Sequence, residues 1–166
     1  KSFDWMVWPQ AQPDALTTAQ LSALQAWVAS GGHLFLTVTD SWRSVAESSL
    51  ATLLPVNLVG ISEYESWQSP FQQLALNGAV PSTAPIGVGT PTEASINLVT
   101  LANGDPLWSI ASYGHGSVSV FLADVNIAPF GRTIERASLW RTLLWLPTRG
   151  QPPGSIHRHG NRPTLA

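Results

Sequence analysis

Thr39-Asp40-Ser41-Trp42 breaks, polar, out of the apolar run His33-Leu-Phe-Leu-Thr-Val38. In an open α/β sheet, ligands and catalytic groups gather in the crevice beyond the carboxyl ends of the strands, so a nucleophile or binding group belongs at this position. Thr39 and Ser41 supply hydroxyls, which become nucleophiles only beside a base. Asp40 supplies a carboxylate, and Asp124 supplies another behind a later apolar run. If both runs are parallel strands, the two carboxylates meet at one edge of the sheet, where such a pair can hold a cation or act as acid and base. The ordinary alternative is that each Asp caps the helix or turn behind it. Ser41, Trp42 and Asn126 share that rim.

Three rival constellations are weaker. Ser41, His115 and Asp124 or Asp40 make a Ser/His/Asp set on paper. His115, however, sits in the turn Gly114-His115-Gly116, at the far end of the strand 117–123 from Asp124, and seven extended residues span about 23 Å. Glu63 and Glu65 flank Tyr64 with period-two spacing, near Trp67, a pattern that suits sugar chemistry or a plain solvated edge. His157-Arg158-His159 has the composition of a metal tract within a linker.

The elements that position these residues follow from periodicity. Phe3 to Trp8, closed by Pro9, predicts a buried strand. Leu21, Leu24, Trp27 and Val28 recur at helical spacing behind a Thr17 or Thr18 cap and ahead of Gly31-Gly32, and His33 to Val38 then returns as a strand. A right-handed crossover makes the two strands parallel. Ser44 to Leu54 predicts a second amphipathic helix and Val56 to Ile61 a further strand. Residues 62–95 read as an irregular excursion of Pro, Gly, Ser and Thr. The turn signals Asn103-Gly104 and Gly114-His115-Gly116 separate Ile96–Leu101, Leu107–Ser112 and Ser117–Ala123 into successive antiparallel strands. Glu135 to Leu146 predicts a last helix, and residues 148–166 a linker or disordered tail behind a single domain of residues 1–147. Of the eight tryptophans, Trp5, Trp27, Trp140 and Trp145 fall on core faces, and Trp8, Trp42 and Trp67 at element ends or in the irregular stretch.

The stretches "DWMVWP", "LTTAQLSALQAWVASGGHLFLTV" and "SYGHGSVSVFLADV", with the Trp-rich helix that follows, resemble the class I glutamine amidotransferase-like fold. The likeness is to the degenerate members found as extracytoplasmic parts of bacterial membrane-anchored proteins. It implies an α/β fold, a three-layer α/β/α sandwich with a mostly parallel sheet and a C-terminal antiparallel hairpin extension. It also implies a catalytic cysteine on a tight glycine turn near Thr39 and a His-x-Glu pair near Asp124-Val125-Asn126. Neither is present, so the resemblance implies a vestigial rim of Thr39, Asp40, Ser41, Trp42, Asp124 and Asn126, with no catalytic residue, metal or cofactor.

Composition narrows the function further. A net charge of −2, with 8 basic and 10 acidic residues, lacks the basic footprint of nucleic-acid binding. With zero cysteines there is no thiolate chemistry, and no apolar run reaches the roughly 18 residues of a membrane span. The opening Lys1-Ser2-Phe3-Asp4 lacks an initiator Met and a signal-peptide profile, so we expect a soluble piece of something longer. The expectation is an inactive domain that binds a protein partner or an adjoining domain. The alternative is a carbohydrate-active enzyme or its accessory sugar-binding domain. Replacement of Thr39 is expected to alter stability only slightly.

Overall fold

The computed structural model describes residues 3–76, 83–126 and 139–144. Its strands are β1 (Trp5–Trp8), β2 (His33–Thr37), β3 (Val56–Tyr64), β4 (Ala84–Pro91), β5 (Ile96–Thr100), β6 (Pro106–Tyr113) and β7 (Gly116–Phe121). The helices are α1 (Thr18–Ala29), α2 (Trp42–Glu47), α3 (Gln68–Gln73) and a helical segment, α4, over residues 139–144. The expected tail at 148–166, Trp145, and the flanks of the expected helix 135–146 lie outside the described residues.

β2 is buried along nearly its whole length: Leu34, Phe35, Leu36 and Thr37 are at most 1% exposed. A strand with apolar residues on both faces must be covered on both and paired along both edges. β1 and β7 flank it, both parallel to it, in the register Val7↔Phe35 and Phe35↔Ser119. β6 and β5 then extend the sheet antiparallel, giving the order β1-β2-β7-β6-β5. α1 makes the β1–β2 crossover. Its Thr17 side chain accepts from Gln20 N while Gln20 Oε1 accepts from Thr17 N, a reciprocal cap that starts the helix where the sequence placed it. Leu21, Leu24 and Val28 are its buried face.

The three-layer sandwich with a mostly parallel sheet is not what forms. Two of the four pairings in the main sheet are antiparallel, because hairpin strands close without the helical crossovers that parallel strands require. Apart from the twelve-residue α1, helices α2 and α3 have six residues each, and only six residues of α4 are described. The second sheet was unforeseen. Residues 62–95, expected to be irregular, complete β3 and hold α3 and all of β4, and β3 and β4 pair antiparallel as a separate two-stranded sheet. This ribbon is stitched to the main chain beyond β7, where Gly87 N donates to Leu122 O at 2.8 Å. A Cβ on Gly87 would stand 2.9 Å from Val38 O, so the close approach needs glycine.

The expected second helix shortens to α2, and Ser49–Leu53 finishes it as a 3-10 turn. Trp67, in the stretch expected to be irregular, is wholly buried. Its indole donates to Tyr64 O at 2.9 Å and stands edge-on to the Tyr64 ring at 5.2 Å. Trp108 is equally buried and donates to Ser119 Oγ at 2.6 Å, beside Phe35 and Phe121.

At the other end of the sheet the β6–β7 turn runs under the end of α1. His115 N donates to Ala29 O, and a Cβ on Gly116 would overlap the carbonyl oxygens of Gly32 and Val28. Gly116→Ala should therefore lower stability by about 2–3 kcal/mol, because backbone rather than a flexible side chain blocks the methyl. Urea denaturation with an unchanged m-value checks it.

Candidate functional site

The carboxyl ends of β1, β2 and β7 converge on a polar cavity of about 420 Å³. Gln10 enters it from β1, Asp40, Ser41 and Ser44 from the segment after β2, Asp14 from the turn before α1, and Asp124 from the segment after β7. The parallel pairing thus brings Asp40, Ser41 and Asp124 to one rim, as the sequence indicated. Among the described residues no three His, Asp or Glu side chains form a group able to hold a metal ion.

Thr39, the position where a nucleophile is expected, is 2% exposed. Its hydroxyl donates to Gln10 Oε1 at 2.9 Å, and its backbone N–H points to the same oxygen at 3.3 Å. Gln10 N in turn donates to Thr37 Oγ1 at 2.8 Å. One side chain therefore ties the end of β1 to the end of β2. It does so from a left-handed backbone conformation, φ +46°, which costs a non-glycine residue about 1 kcal/mol or more. The Thr39 N–H can only donate, which fixes the amide with Oε1 toward Thr39. Gln10 Nε2 is then a buried donor without an acceptor. Ser41 Oγ and Ser44 Oγ are likewise buried and unpaired.

The other rim residues behave as structure. Asp124 Oδ1 accepts from Asn126 N at 2.8 Å and from Asn126 Nδ2 at 3.1 Å, an Asx turn in which the carboxylate holds its own loop. Asn126 is exposed and Asp40 is exposed. Trp42 is half-buried, packs against the core, and carries the Arg43 guanidinium 5.3 Å from its ring centre. Gln10 was missed by sequence reasoning, yet the argument that singled out Asp40 applies to it: it follows the first strand immediately, behind Pro9.

The histidines are elsewhere. His33 starts β2, stacks on Trp5 with ring centres 4.9 Å apart, and shares a hydrogen bond of 2.8 Å between Nδ1 and Ser117 Oγ. His115 is in the β6–β7 turn, and the three residues line a separate cavity of about 340 Å³. This Ser–His contact was invisible until β2 and β7 paired His33 with Ser117. It lacks the rest of a hydrolase. Among the described residues no carboxylate lines the cavity, and Ser117 N already donates to Gly32 O. Glu63 is the penultimate residue of β3 and Glu65 follows the strand, both exposed; Trp67, the aromatic expected beside them, is buried.

No family model matches the chain. β-Alanine-activating enzyme of Mus musculus is 27% identical over 153 residues, a match that takes in 84% of this chain and 13% of that protein. The chain thus spans about an eighth of the length of this curated relative. Among solved structures, the cytoplasmic protein STM1381 from Salmonella typhimurium LT2 superposes with a TM-score of 0.61 at 20% identity, over 86% of this chain and 71% of that one. The cytoplasmic protein STM3548 from Salmonella typhimurium gives 0.60 at 17%, over 87% and 71%. The β-galactosidase from Bacillus circulans sp. alkalophilus gives 0.55 at 13%, over 90% of this chain and 23% of that one. These likenesses establish the fold. They also overturn the expected extracytoplasmic placement: two of the proteins sharing this fold are cytoplasmic, so the fold gives no ground for putting the domain outside the cytoplasm. No described helix is long and apolar enough to cross a membrane.

Thr39 thus works as a strut, and its burial and its two contacts to Gln10 argue for a larger effect of replacing it than the sequence suggested. Thr39→Val, which keeps the volume and removes the hydroxyl, should cost about 1–2 kcal/mol, since Gln10 Oε1 loses a buried partner. Chemical denaturation of the two proteins measures it.

Proposed function

We propose that this chain is a non-catalytic binding module of a larger protein, meeting a protein partner or an adjoining domain through the rim at the carboxyl ends of β1, β2 and β7. The observation that carries the reading is the state of Thr39: where the resemblance to class I glutamine amidotransferases calls for a nucleophile, the hydroxyl is buried and committed to Gln10. A hydroxyl needs an adjacent base to attack a carbonyl, and His33 and His115 line a cavity at the other end of the sheet. The larger context is supported by the comparisons, in which the fold occupies 23% of a β-galactosidase and the sequence match 13% of β-alanine-activating enzyme.

A sugar-binding accessory role for the same rim is the second reading. It is favoured by the half-buried Trp42 beside the exposed Asp40 and by the β-galactosidase that carries the fold. The two readings part on one titration. Galactose that shifts the Trp42 indole and Ser41 amide resonances selects the second, and unchanged spectra select the first.

For either reading, hydrolysis of glutamine and of p-nitrophenyl esters should equal the buffer background, with no difference between the native chain and Thr39→Val. Turnover that disappears in Thr39→Val would overturn the non-catalytic assignment.

A further inference from the structure

The main sheet has two outer strands, and they are finished differently. At β5 the edge is occupied: the Gln73 side chain, reaching over from α3, accepts from Thr100 N at 2.9 Å and donates to Thr100 O at 2.7 Å, standing in for a neighbouring strand. At β1 no described residue does this. Asp4 O accepts from His33 N, and in a parallel ladder alternate residues direct both backbone groups to one side. Asp4, Met6 and Trp8 therefore face β2, and the N–H and C=O groups of Trp5 and Val7 face outward. Native proteins blunt such an edge with lysine, proline or a bulge within the strand. Trp-Met-Val-Trp has none of them, and Met6 is 42% and Val7 36% exposed.

The surface beside this edge is largely apolar, and no described charged residue lines it beyond Asp4, just ahead of the strand. A groove of about 870 Å³ runs between β1 and α1, walled by Met6, Trp8, Leu24 and Trp27. Setting His33 aside, Asp14 is the sole charged residue between Trp5 and Thr39, so the exposed side of α1 carries Ala19, Ser22, Ala23 and Ala26 and no charge. A solvated helix face normally carries ions. This one can lie against a copy of itself without like-charge repulsion.

We propose that β1 is a homodimer interface, in which a second copy of this chain adds its own β1 antiparallel to the free edge and makes one ten-stranded sheet across a twofold axis. The register follows from the outward groups. Opposed residues in an antiparallel pair share a sheet face, so the axis passes through a residue rather than between two. Centred on Met6, Trp5 lies opposite Val7 of the second copy in both senses, and all four outward N–H and four outward C=O groups are paired. Centred on Val7, Trp5 would face Pro9, which has no N–H to give. In the Met6 register, the two Asp4 carboxylates stand four residues apart along the strands, about 14 Å. Met6 and Trp8 of the second copy emerge on the sheet face that carries α1 and its groove.

The chain has no cysteine, which makes the test clean. Met6 would face its own copy in a non-hydrogen-bonded pair with Cα atoms about 4.5 Å apart, within disulfide reach. The native chain should sediment as a dimer at tens of micromolar, and Met6→Cys should oxidise to a covalent dimer. Ile96→Cys on the β5 edge, 65% exposed in the native protein, should form no covalent dimer on reducing-agent removal at the same concentration. Val7→Pro removes one outward N–H and leaves the β1–β2 ladder intact, so it should weaken dimerisation at least about tenfold with an unchanged far-ultraviolet spectrum. A native chain that remains monomeric, or Met6→Cys and Ile96→Cys cross-linking alike, overturns the interface.

Discussion

Everything else in this fold is registered on β2. Its four residues from Leu34 to Thr37 are buried on both faces, so the chain must supply a neighbour on each edge and cover above and below. The crossover through α1 supplies β1, and the return of the chain as β7 supplies the other edge. Both neighbours run parallel to β2, and that direction alone brings Gln10, Thr39 and Asp124 to one rim. The antiparallel additions β6 and β5 then widen the sheet without contributing to the cavity.

At that rim the Gln10 amide takes the place a reactive group would hold. Its Oε1 satisfies both the hydroxyl and the N–H of Thr39, and its backbone N–H satisfies Thr37. A nucleophile has to be exposed, partly solvated and paired with a base. Here the hydroxyl is enclosed, donates its proton to an amide oxygen that cannot take it up, and faces no imidazole among the described residues. What remains accessible is a polar surface of Asp40 and the Asp124 turn.

Much of this was legible in the sequence, and the part that was not has physical causes. The β1–α1–β2 unit and the three late strands were readable because periodicity, the Thr17 cap and the glycine turns all agree. Residues 62–95 were misread because β4, Ala-Pro-Ile-Gly-Val-Gly-Thr-Pro, carries residues that disfavour strands. Gly87 is there for its missing side chain, under the Val38 carbonyl, a demand set by tertiary contact and absent from local pattern. The surroundings of Trp67 were hidden for the same reason, since they come from the segment folding back on Tyr64. Gln10 escaped notice because one polar residue behind a proline carries no periodic signal. Its role exists only once β1 lies beside β2.

The most direct measurement of this account is a double-mutant cycle between Gln10 and Thr39, using Gln10→Met and Thr39→Val in chemical denaturation. If the amide and hydroxyl form the tie described, the double variant should be more stable than the sum of the single losses predicts by about 1 kcal/mol. Additivity within about 0.3 kcal/mol would contradict it, leaving Thr39 as a free hydroxyl at the sheet's carboxyl edge.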